Sequence, residues 1–342
     1  MTKFIDLDRE VQNEVITEAS HQLGTFLPEI LEKDVWVCHV LDVLFTLQGT
    51  PSLAFRGGTS LSKAYNAIDR FSEDIDITIS HDEILPEIKS IAGLSKKKQK
   101  NMLEHELKDK VIQVLHEVFY PKLSESLGAF GTIDFDDYDK TGTTIRFTYQ
   151  SCLEGIESFS PNLKRNVRLE FGGRSSMEPN SAMTITTYAS EIFPQIFFPE
   201  PNVTVVSGSR TFWDKVTLIH CKITRRENSR LDSTERQSRH WYDLFRLLDH
   251  QTGRDALTKD LHLFEEVVNY KDLFFHDNPA KIRDCLSGSL RLAPHGELLD
   301  KLENDYNAMK RNGLFYNSPP SFNEITDRLR DFEKEVNGLM SL

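Results

Sequence analysis

Two aspartates lie two positions apart in the run DIDITI, residues 74–79. Side chains on a β-strand alternate between its faces, so Asp74 and Asp76 share one face, about 7 Å apart, and the isoleucines share the other. Two carboxylates this close repel each other strongly unless a cation lies between them. Carboxylate oxygens bind Mg²⁺, which also binds substrate phosphates. The run therefore predicts a strand that carries a divalent metal.

A glycine-rich turn precedes this strand. The apolar run at 53–55 predicts a short strand, and it leads into Gly57 and Gly58, where the backbone can adopt a positive φ or approach a ligand closely. Thr59 or Ser60 can then cap a helix whose apolar residues recur at helical spacing. Backbone N–H groups at such a turn bind phosphate oxygens. The turn therefore predicts a phosphate site.

The order of turn, helix and acidic strand indicates one combined chemistry. Two metal ions on a carboxylate pair can activate an attacking hydroxyl and stabilise a leaving pyrophosphate. Each half alone is common, since Gly-Gly before Thr-Ser often only turns into a helix and acidic strand ends occur without metals. Together the two halves favour phosphate and metal binding.

These residues resemble a known family. GGTSL followed by RFSEDIDI resembles the first motif of the polymerase-β-type nucleotidyltransferases, and most closely that of the AbiEii/AbiGii toxins of type IV toxin–antitoxin and phage-abortive systems. The run at 32–47 also resembles the helix that precedes the nucleotide site in that family. The resemblance implies an α/β (α+β) fold, with a polymerase-β-like domain around a small mixed sheet and a C-terminal helical domain.

Glu170 is the candidate for a third carboxylate. Residues 167–171 alternate apolar side chains with Arg168 and Glu170, as a strand does. If this strand pairs beside residues 74–79, Glu170 arrives near the two aspartates. The resemblance places Glu170 there, because a third acid in the family completes the metal site and can take the proton of the acceptor hydroxyl. The alternative is an exposed glutamate paired with Arg168 or Arg174.

Two later motifs supply the remaining candidates. RTFWDK at 210–215 and RHWYDL at 239–244 resemble the family's third and fourth motifs, in which a lysine contacts nucleotide phosphates and an aspartate supports the site. The resemblance therefore implies catalytic roles for Lys215 and Asp243, with Lys215 also binding the nucleotide. The alternatives are a helix lysine paired with an acid and a helix–helix salt bridge. Arg239 and His240 are weaker candidates for substrate contact.

The resemblance implies a complete reaction. A nucleotide monophosphate moves from an NTP to an acceptor hydroxyl, on RNA such as tRNA, and pyrophosphate leaves. Asp74, Asp76 and Glu170 hold Mg²⁺, with Mn²⁺ as the alternative ion. The triphosphate rests on residues 57–60, with Ser60 as the expected hydroxyl contact, while Lys215 neutralises its charge. The protein would act as a toxin restrained by an antitoxin.

Other readings remain open at this point. The acceptor could be a protein or a small molecule, and the chain could be a non-catalytic nucleotide-binding regulator on the same scaffold. Residues 74–78 also fit the DxDxT pattern of haloacid-dehalogenase-type phosphatases, but that pattern needs an apolar strand before the first aspartate and a loop after it. A P-loop kinase is excluded because no GxxxxGK[ST] spacing exists.

Composition limits the partners. The net charge of −12 argues against a general nucleic-acid coat, but allows a local basic groove or a basic partner protein. The four cysteines are scattered without CxxC spacing, which indicates reduced thiols and a cytoplasmic protein. No apolar run is long enough to span a bilayer, and the N-terminus lacks the apolar segment of a signal peptide.

Strand and turn patterns give way to helical periodicity near residue 207, which predicts two domains. They are a nucleotidyltransferase domain with N-terminal helices at 1–207 and a helical domain at 208–342. The acidic run IDFDDYD reads as the approach to a hairpin turn at 137–142 rather than a metal cluster. The basic run SKKKQK at 95–100 reads as a solvated loop or helix start rather than a phosphate-contacting patch. Helices are expected at 7–26, 32–47, 101–123, 210–226 and 237–248, and strands at 143–149, 184–187 and 202–206.

Overall fold

The computed structural model describes residues 2–72, 74–153, 163–228, 236–275 and 280–340. The chain divides into two units. The first consists of Met1–Ala64 and Phe71–Val206, and the second of Tyr65–Arg70 and Ser207–Leu342. Residues 229–235, between the helices expected at 210–226 and 237–248, lie outside the described residues.

The first unit is built on a mixed β-sheet. Its strands are β1 (Thr2–Lys3), β2 (Leu53–Arg56), β3 (Asp74–Ile79), β4 (Gly131–Phe135), β5 (Thr144–Tyr149), β6 (Asn166–Gly172), β7 (Asn180–Thr184), β8 (Ile196–Phe197) and β9 (Asn202–Val206). Within the described residues, a seven-stranded sheet has the order β4-β5-β6-β3-β2-β9-β7, and β1 pairs separately with β8. The pairs β3–β6 and β2–β9 are parallel and the other pairs of the large sheet are antiparallel.

Helices of the first unit pack on this sheet. They are α1 (Arg9–Leu23), α2 (Pro28–Thr46), α3 (Gly57–Lys63), α4 (His81–Ile84), α5 (Lys96–Asn101), α6 (Leu107–Val114) and α7 (Tyr120–Leu127). Two π-helical segments, Met102–Glu106 and Leu115–Phe119, join α5, α6 and α7. The basic run predicted as a loop or helix start therefore opens a helix. Residues 28–31 extend α2 beyond its predicted start, with Pro28 in the first turn, where its missing N–H costs nothing.

The sheet separates an apolar face from a polar one. Ile75, Ile77 and Ile79 are buried, as the alternation of β3 predicts. On β6, Leu169 is also buried and Phe171 packs against Phe119, with ring centroids 5.3 Å apart. This apolar face fixes the register of both strands, since a shift by one residue would expose it. The acidic side chains must then lie on the other face.

The second unit is helical. Its helices are α8 (Gly208–Asn228), α9 (Arg239–Asp249), α10 (Gln251–Thr258), α11 (His262–Phe275), α12 (Gly296–Arg311) and α13 (Phe322–Met340). A capping box opens α13, because the Ser321 hydroxyl accepts from Glu324 N–H and the Glu324 carboxylate accepts from Ser321 N–H. Along the described chain, no helix is long and apolar enough to cross a membrane.

The structure confirms the predicted hairpin and corrects one predicted strand. The hairpin is confirmed, since β4 and β5 pair on either side of the turn at 137–142. The strand predicted at 184–187 is wrong, because β7 ends at Thr184. Ile185 leaves the ladder and its N–H donates to the carbonyl of Pro201 instead. The strand runs from Asn180, where residues that show no alternation of apolar and polar side chains pair with β9.

Candidate active site

The register of two parallel strands assembles the acidic side chains. In the pairing of β3 with β6, Asp74 is opposite Arg168 and Asp76 is opposite Glu170. Residues opposite each other in a sheet project from the same face. β6 therefore pairs beside β3, as the placement of Glu170 near the aspartates requires, and the three predicted carboxylates lie on one face of the sheet. Arg56 of β2, which sequence reasoning missed, pairs with Asp76 on its other side.

The glycine turn lies directly against the acidic strand. β2 ends at Arg56 and α3 begins at Gly57, whose φ is +81°. A β-carbon at position 57 would lie 1.9 Å from Oδ2 of Asp76 and 2.6 Å from its Cγ. Glycine is therefore required here twice, by backbone conformation and by the space that the carboxylate occupies. Turn and strand form one compact feature.

Thr59 and Ser60 lie inside the first turn of α3, so the prediction that one of them caps the helix is wrong. The position before the helix is Arg56, whose side chain forms no capping bond. The Thr59 hydroxyl donates to the carbonyl of Asp74, and the Ser60 hydroxyl donates to the carbonyl of Gly57 at 3.0 Å. Both side chains are fully buried. The Thr59 hydroxyl fastens the turn to β3, and the Ser60 hydroxyl bonds within the turn. The phosphate contact expected of Ser60 stays a prediction.

Arg168 lies among the carboxylates. Its Nη1 is 3.2 Å from Oε1 of Glu170 and 3.6 Å from Oδ1 of Asp74, while its Nε donates to Oδ2 of Asp136 at 2.9 Å. Burial alone would lower the pKa of Arg168, but the three carboxylates raise it, so the guanidinium stays charged. The alternative partner foreseen for Glu170 is therefore present, together with two further acids.

Asp136 is the acid that sequence reasoning missed. It follows β4 and its side chain is buried, whereas its sequence neighbours suggested only a turn. Arg146, opposite Arg168 in the pairing of β5 with β6, contributes a second cation 3.9 Å from Asp136. Asp136 and Arg168 are far apart in sequence, and only the pairing of the strands brings them into contact.

The acids are arranged around Arg168 rather than gathered on their own. Among the described residues, no three histidine, cysteine, aspartate or glutamate side chains lie close enough to hold a metal ion by themselves. The Asp74 side chain is 14% exposed and that of Glu170 is 38% exposed, so both carboxylates can be reached from solvent.

In the second unit, Lys215 and Asp243 lie together. Nζ of Lys215 donates to Oδ2 of Asp243 at 2.7 Å, and Arg70 binds the same carboxylate through Nε at 2.6 Å and Nη2 at 2.8 Å. The Asp243 side chain is completely buried. Both alternatives are therefore present, since Lys215 is a helix lysine paired with an acid and Asp243 forms a salt bridge between α8 and α9. Arg70 was missed, although it stands in the RFSEDIDI motif.

The charged groups of Arg70, Lys215 and Asp243 shift one another's pKa values. Burial would raise the pKa of Asp243, but Arg70 and Lys215 hold it well below its usual range. Burial, reinforced by Arg70, lowers the pKa of Lys215 in spite of the carboxylate beside it. His240 is partly buried, and burial and then Lys215 lower its pKa well below the usual value. One carboxylate therefore serves two cations, and a neutral histidine adjoins them.

Residues 40–328 match the sequence profile of the family described as nucleotidyl transferase AbiEii toxin, type IV TA system. The match spans most of the 342 residues. The chain belongs to the AbiEii family. The resemblance carried by GGTSL and RFSEDIDI is confirmed, and the protein is a nucleotidyltransferase toxin of the toxin–antitoxin type. The phosphatase reading also fails on geometry, because Asp74 opens β3 and the strand continues to Ile79.

Two further comparisons give little more on this AbiEii-family protein. No curated protein matches the chain. One solved structure similar to it is MenT4, a nucleotidyltransferase toxin from Mycobacterium tuberculosis H37Rv. The identity is 17%, the TM-score is 0.45, and the alignment covers 98% of this chain and 100% of that one. A likeness of this degree supports no inference about individual residues.

Proposed function

We propose that this AbiEii-family toxin transfers a nucleotide monophosphate from an NTP to a hydroxyl group on RNA, such as tRNA, and releases pyrophosphate. The observation that carries the proposal is the register of β3 and β6, which sets Asp76 beside Glu170 and Asp74 one pleat away on the same sheet face. The polar face also holds cations, so it suits a reaction on a charged substrate.

By its chemistry the donor set suits a divalent ion that substrate phosphates also bind, since such an ion needs only one or two protein carboxylates at a time. Carboxylate oxygens are the ligands that Mg²⁺ and Mn²⁺ prefer. Asp74 and Asp76 come from one strand and Glu170 from its neighbour, and two of them are reachable from solvent. Asp74, Asp76 and Glu170 would hold the ion, which would supply charge neutralisation of the triphosphate and a lower pKa for the attacking hydroxyl.

The candidate residues have separate proposed tasks. Residues 57–60 would hold the triphosphate through backbone N–H groups, because the hydroxyls of Thr59 and Ser60 are engaged with carbonyls. Glu170, the more exposed acid, would accept the proton of the acceptor hydroxyl. Lys215 would neutralise phosphate charge, and Asp243 would keep it in place through their 2.7 Å contact.

The cellular role follows from the family. A toxin of the type IV class works with an antitoxin, and we propose that this chain has a protein antitoxin as its partner and acts in the cytoplasm, in phage defence among other settings. The net charge of −12 means that RNA must be recognised locally rather than by the whole surface. A protein or small-molecule acceptor is the alternative that the experiment must separate.

The test is a transfer assay. The purified protein is incubated with each NTP labelled on the α-phosphate, Mg²⁺, total RNA and cell protein. Asp74→Asn/Asp76→Asn removes the metal ligands with little change in shape. Asp134→Asn is the matched control, since Asp134 is an exposed carboxylate on the same sheet face, opposite Arg146 in β5.

The expected result is label on RNA, lost in the double variant and kept in the control. Label on a protein or a small molecule would retain the transferase chemistry and overturn the RNA acceptor. No transfer from any NTP would overturn the proposed reaction. Omitting Mg²⁺ and adding Mn²⁺ in parallel tests which ion supports turnover.

A further inference from the structure

The surroundings of Arg168 assign it a role beyond pairing. We propose that Arg168 is the built-in counter-cation of the acidic sheet face, neutralising Asp74 and Glu170 when no divalent ion is bound and competing with that ion for them. The inference rests on the proposed metal site at these carboxylates. It makes Arg168 a positioning residue that sets the affinity of the toxin for its metal.

The contacts of Arg168 are unequal. The link to Asp136 is a hydrogen bond, with Nε and Oδ2 2.9 Å apart. The links to the candidate ligands are looser, at 3.2 Å to Glu170 and 3.6 Å to Asp74. A separation of 3.6 Å is too long for a hydrogen bond, so that contact is a charge interaction alone. The guanidinium is thus fastened on the side of Asp136 and replaceable on the side of the metal ligands.

Asp136 is itself held firmly. Its Oδ1 accepts the N–H of Tyr138 at 3.1 Å, and its own N–H donates to the carbonyl of Thr144 at 3.0 Å. The side chain is only 6% exposed. Because Asp136 is fixed by the β4–β5 hairpin, it can retain Arg168 near the acidic face after the carboxylates turn to a metal ion.

Electrostatics makes the competition unavoidable. A divalent ion binds carboxylate oxygens at about 2.1 Å, so an ion on Asp74 and Glu170 would lie within a few ångströms of Nη1 of Arg168. Two cations this close repel each other by an amount worth about tenfold or more in affinity. Removing the charge of Arg168 should therefore strengthen metal binding, which a purely structural arginine would not do.

The experiment measures Mn²⁺ affinity without nucleotide, by calorimetry and by the concentration dependence of thermal stabilisation. Arg168→Gln removes the charge and Arg168→Lys keeps it. Because Arg168→Gln removes the cation that is hydrogen-bonded to the buried Asp136, Asp136→Asn/Arg168→Gln is measured as well. Arg146→Gln is the matched control, since it removes a second arginine charge from the same face, 3.9 Å from Asp136.

We expect Arg168→Gln and the double variant to bind Mn²⁺ about tenfold more tightly than the wild type. Arg168→Lys should restore weaker binding, and Arg146→Gln should match the wild type. Unchanged or weaker binding in both charge-removing variants would overturn the counter-cation role alone, provided that Asp74→Asn/Asp76→Asn abolishes wild-type binding. Binding that survives Asp74→Asn/Asp76→Asn, or no binding in any variant, would overturn the metal site and this inference together.

Discussion

The backbone of Gly57 packs against the carboxylate of Asp76, so closely that a β-carbon would lie 1.9 Å from Oδ2. The glycine turn and the acidic strand are thus shaped to each other. Any side chain at position 57 would displace the Asp76 carboxylate. This contact explains why glycine stands at the start of α3, where a helix alone would not demand it, and it gives a direct test of the site.

Gly57→Ala should disable the toxin. Alanine disfavours the φ of +81° at this position, at a cost of about 1–2 kcal/mol, and its methyl group pushes the Asp76 carboxylate aside. We expect a loss of transfer activity much larger than the loss of stability. Activity assays with thermal melts of the same preparations separate the two effects.

The control is Gly93→Ala, because nothing lies within 4 Å of a β-carbon there and the φ of Gly93 is not positive. Gly93→Ala should leave both melting temperature and activity close to those of the wild type. A fully active Gly57→Ala enzyme would show that the Asp76 carboxylate need not occupy its present position during turnover.

Asp243→Asn should destabilise the second unit. The substitution removes the only negative charge in the contact with Arg70 and Lys215 as the structure describes it, and leaves two buried cations. Breaking a buried ion pair from one side typically costs about 3–5 kcal/mol. Urea unfolding followed by circular dichroism gives the free energy of unfolding.

The comparison variant for Asp243 is Asp69→Asn. Asp69 pairs with Arg246 at 2.6 Å, but those side chains are 30% and 39% exposed, and exposed pairs contribute at most about 1 kcal/mol. Equal losses of unfolding free energy in the two variants would contradict the larger contribution expected of the buried pair. A stable but inactive Asp243→Asn protein would favour the functional role that the resemblance implies.

Local periodicity carried much of the fold prediction. Alternation identified β3 and β6 because one face of each strand is apolar and buried. The strand at 180–184 was missed because its sequence, NSAMT, shows no alternation of apolar and polar residues. Its position depends on pairing with β9.

The candidate site was predictable only in part, for the same reason. Asp74, Asp76 and Glu170 stand in recognisable motifs, and one assumption of strand pairing brought them together. Asp136 and Arg168 are joined across the sheet, and Arg70 meets Asp243 over 173 positions of sequence. No spacing rule reports such contacts, since charged residues scattered in sequence can pair in many ways.

Lys63→Met should loosen the C-terminal end of α3. Nζ of Lys63 lies 2.5 Å from Oδ1 of Asp34 and 3.7 Å from the centroid of the Tyr188 ring. Burial would lower the pKa of Lys63, but Asp34 raises it, so the ammonium group stays charged. Burial raises the pKa of Asp34, and Lys63 opposes that rise. Removing Lys63 leaves the buried carboxylate of Asp34 without its cation and with the N–H of Tyr188 as its remaining donor within the described part of the chain, at a cost of about 3–5 kcal/mol.

The measurement is chemical unfolding, with hydrogen exchange of α3 amides as a local readout. Lys100→Met is the control, because Lys100 is exposed and its pair with Glu104 spans 3.8 Å. Faster exchange confined to α3 and its neighbours is expected in Lys63→Met. An unchanged free energy of unfolding would contradict a stabilising role for the buried pair.

Acid should weaken the β4–β5 hairpin through Asp139. Its carboxylate accepts the N–H groups of Thr141 at 2.8 Å and Thr143 at 2.9 Å. Partial burial would raise the pKa of Asp139, but these bonds lower it to about 2. Since the folded pKa lies below the unfolded value, the stabilisation is present above about pH 4 and is lost as the pH falls toward 2.

In Asp139→Asn, the free energy of unfolding should therefore fall less between about pH 5 and about pH 3 than in the wild type. The difference should be about 1 kcal/mol after allowance for solvent screening. Urea unfolding at about pH 5 and about pH 3 gives the difference for each protein. Asp137→Asn, at an exposed position of the same turn, should keep the wild-type slope. An identical slope in Asp139→Asn would mean that the hydrogen bonds of Asp139 persist equally in the unfolded chain. Because the same hairpin fixes Asp136, its loosening in acid should also release Arg168 from its hydrogen bond.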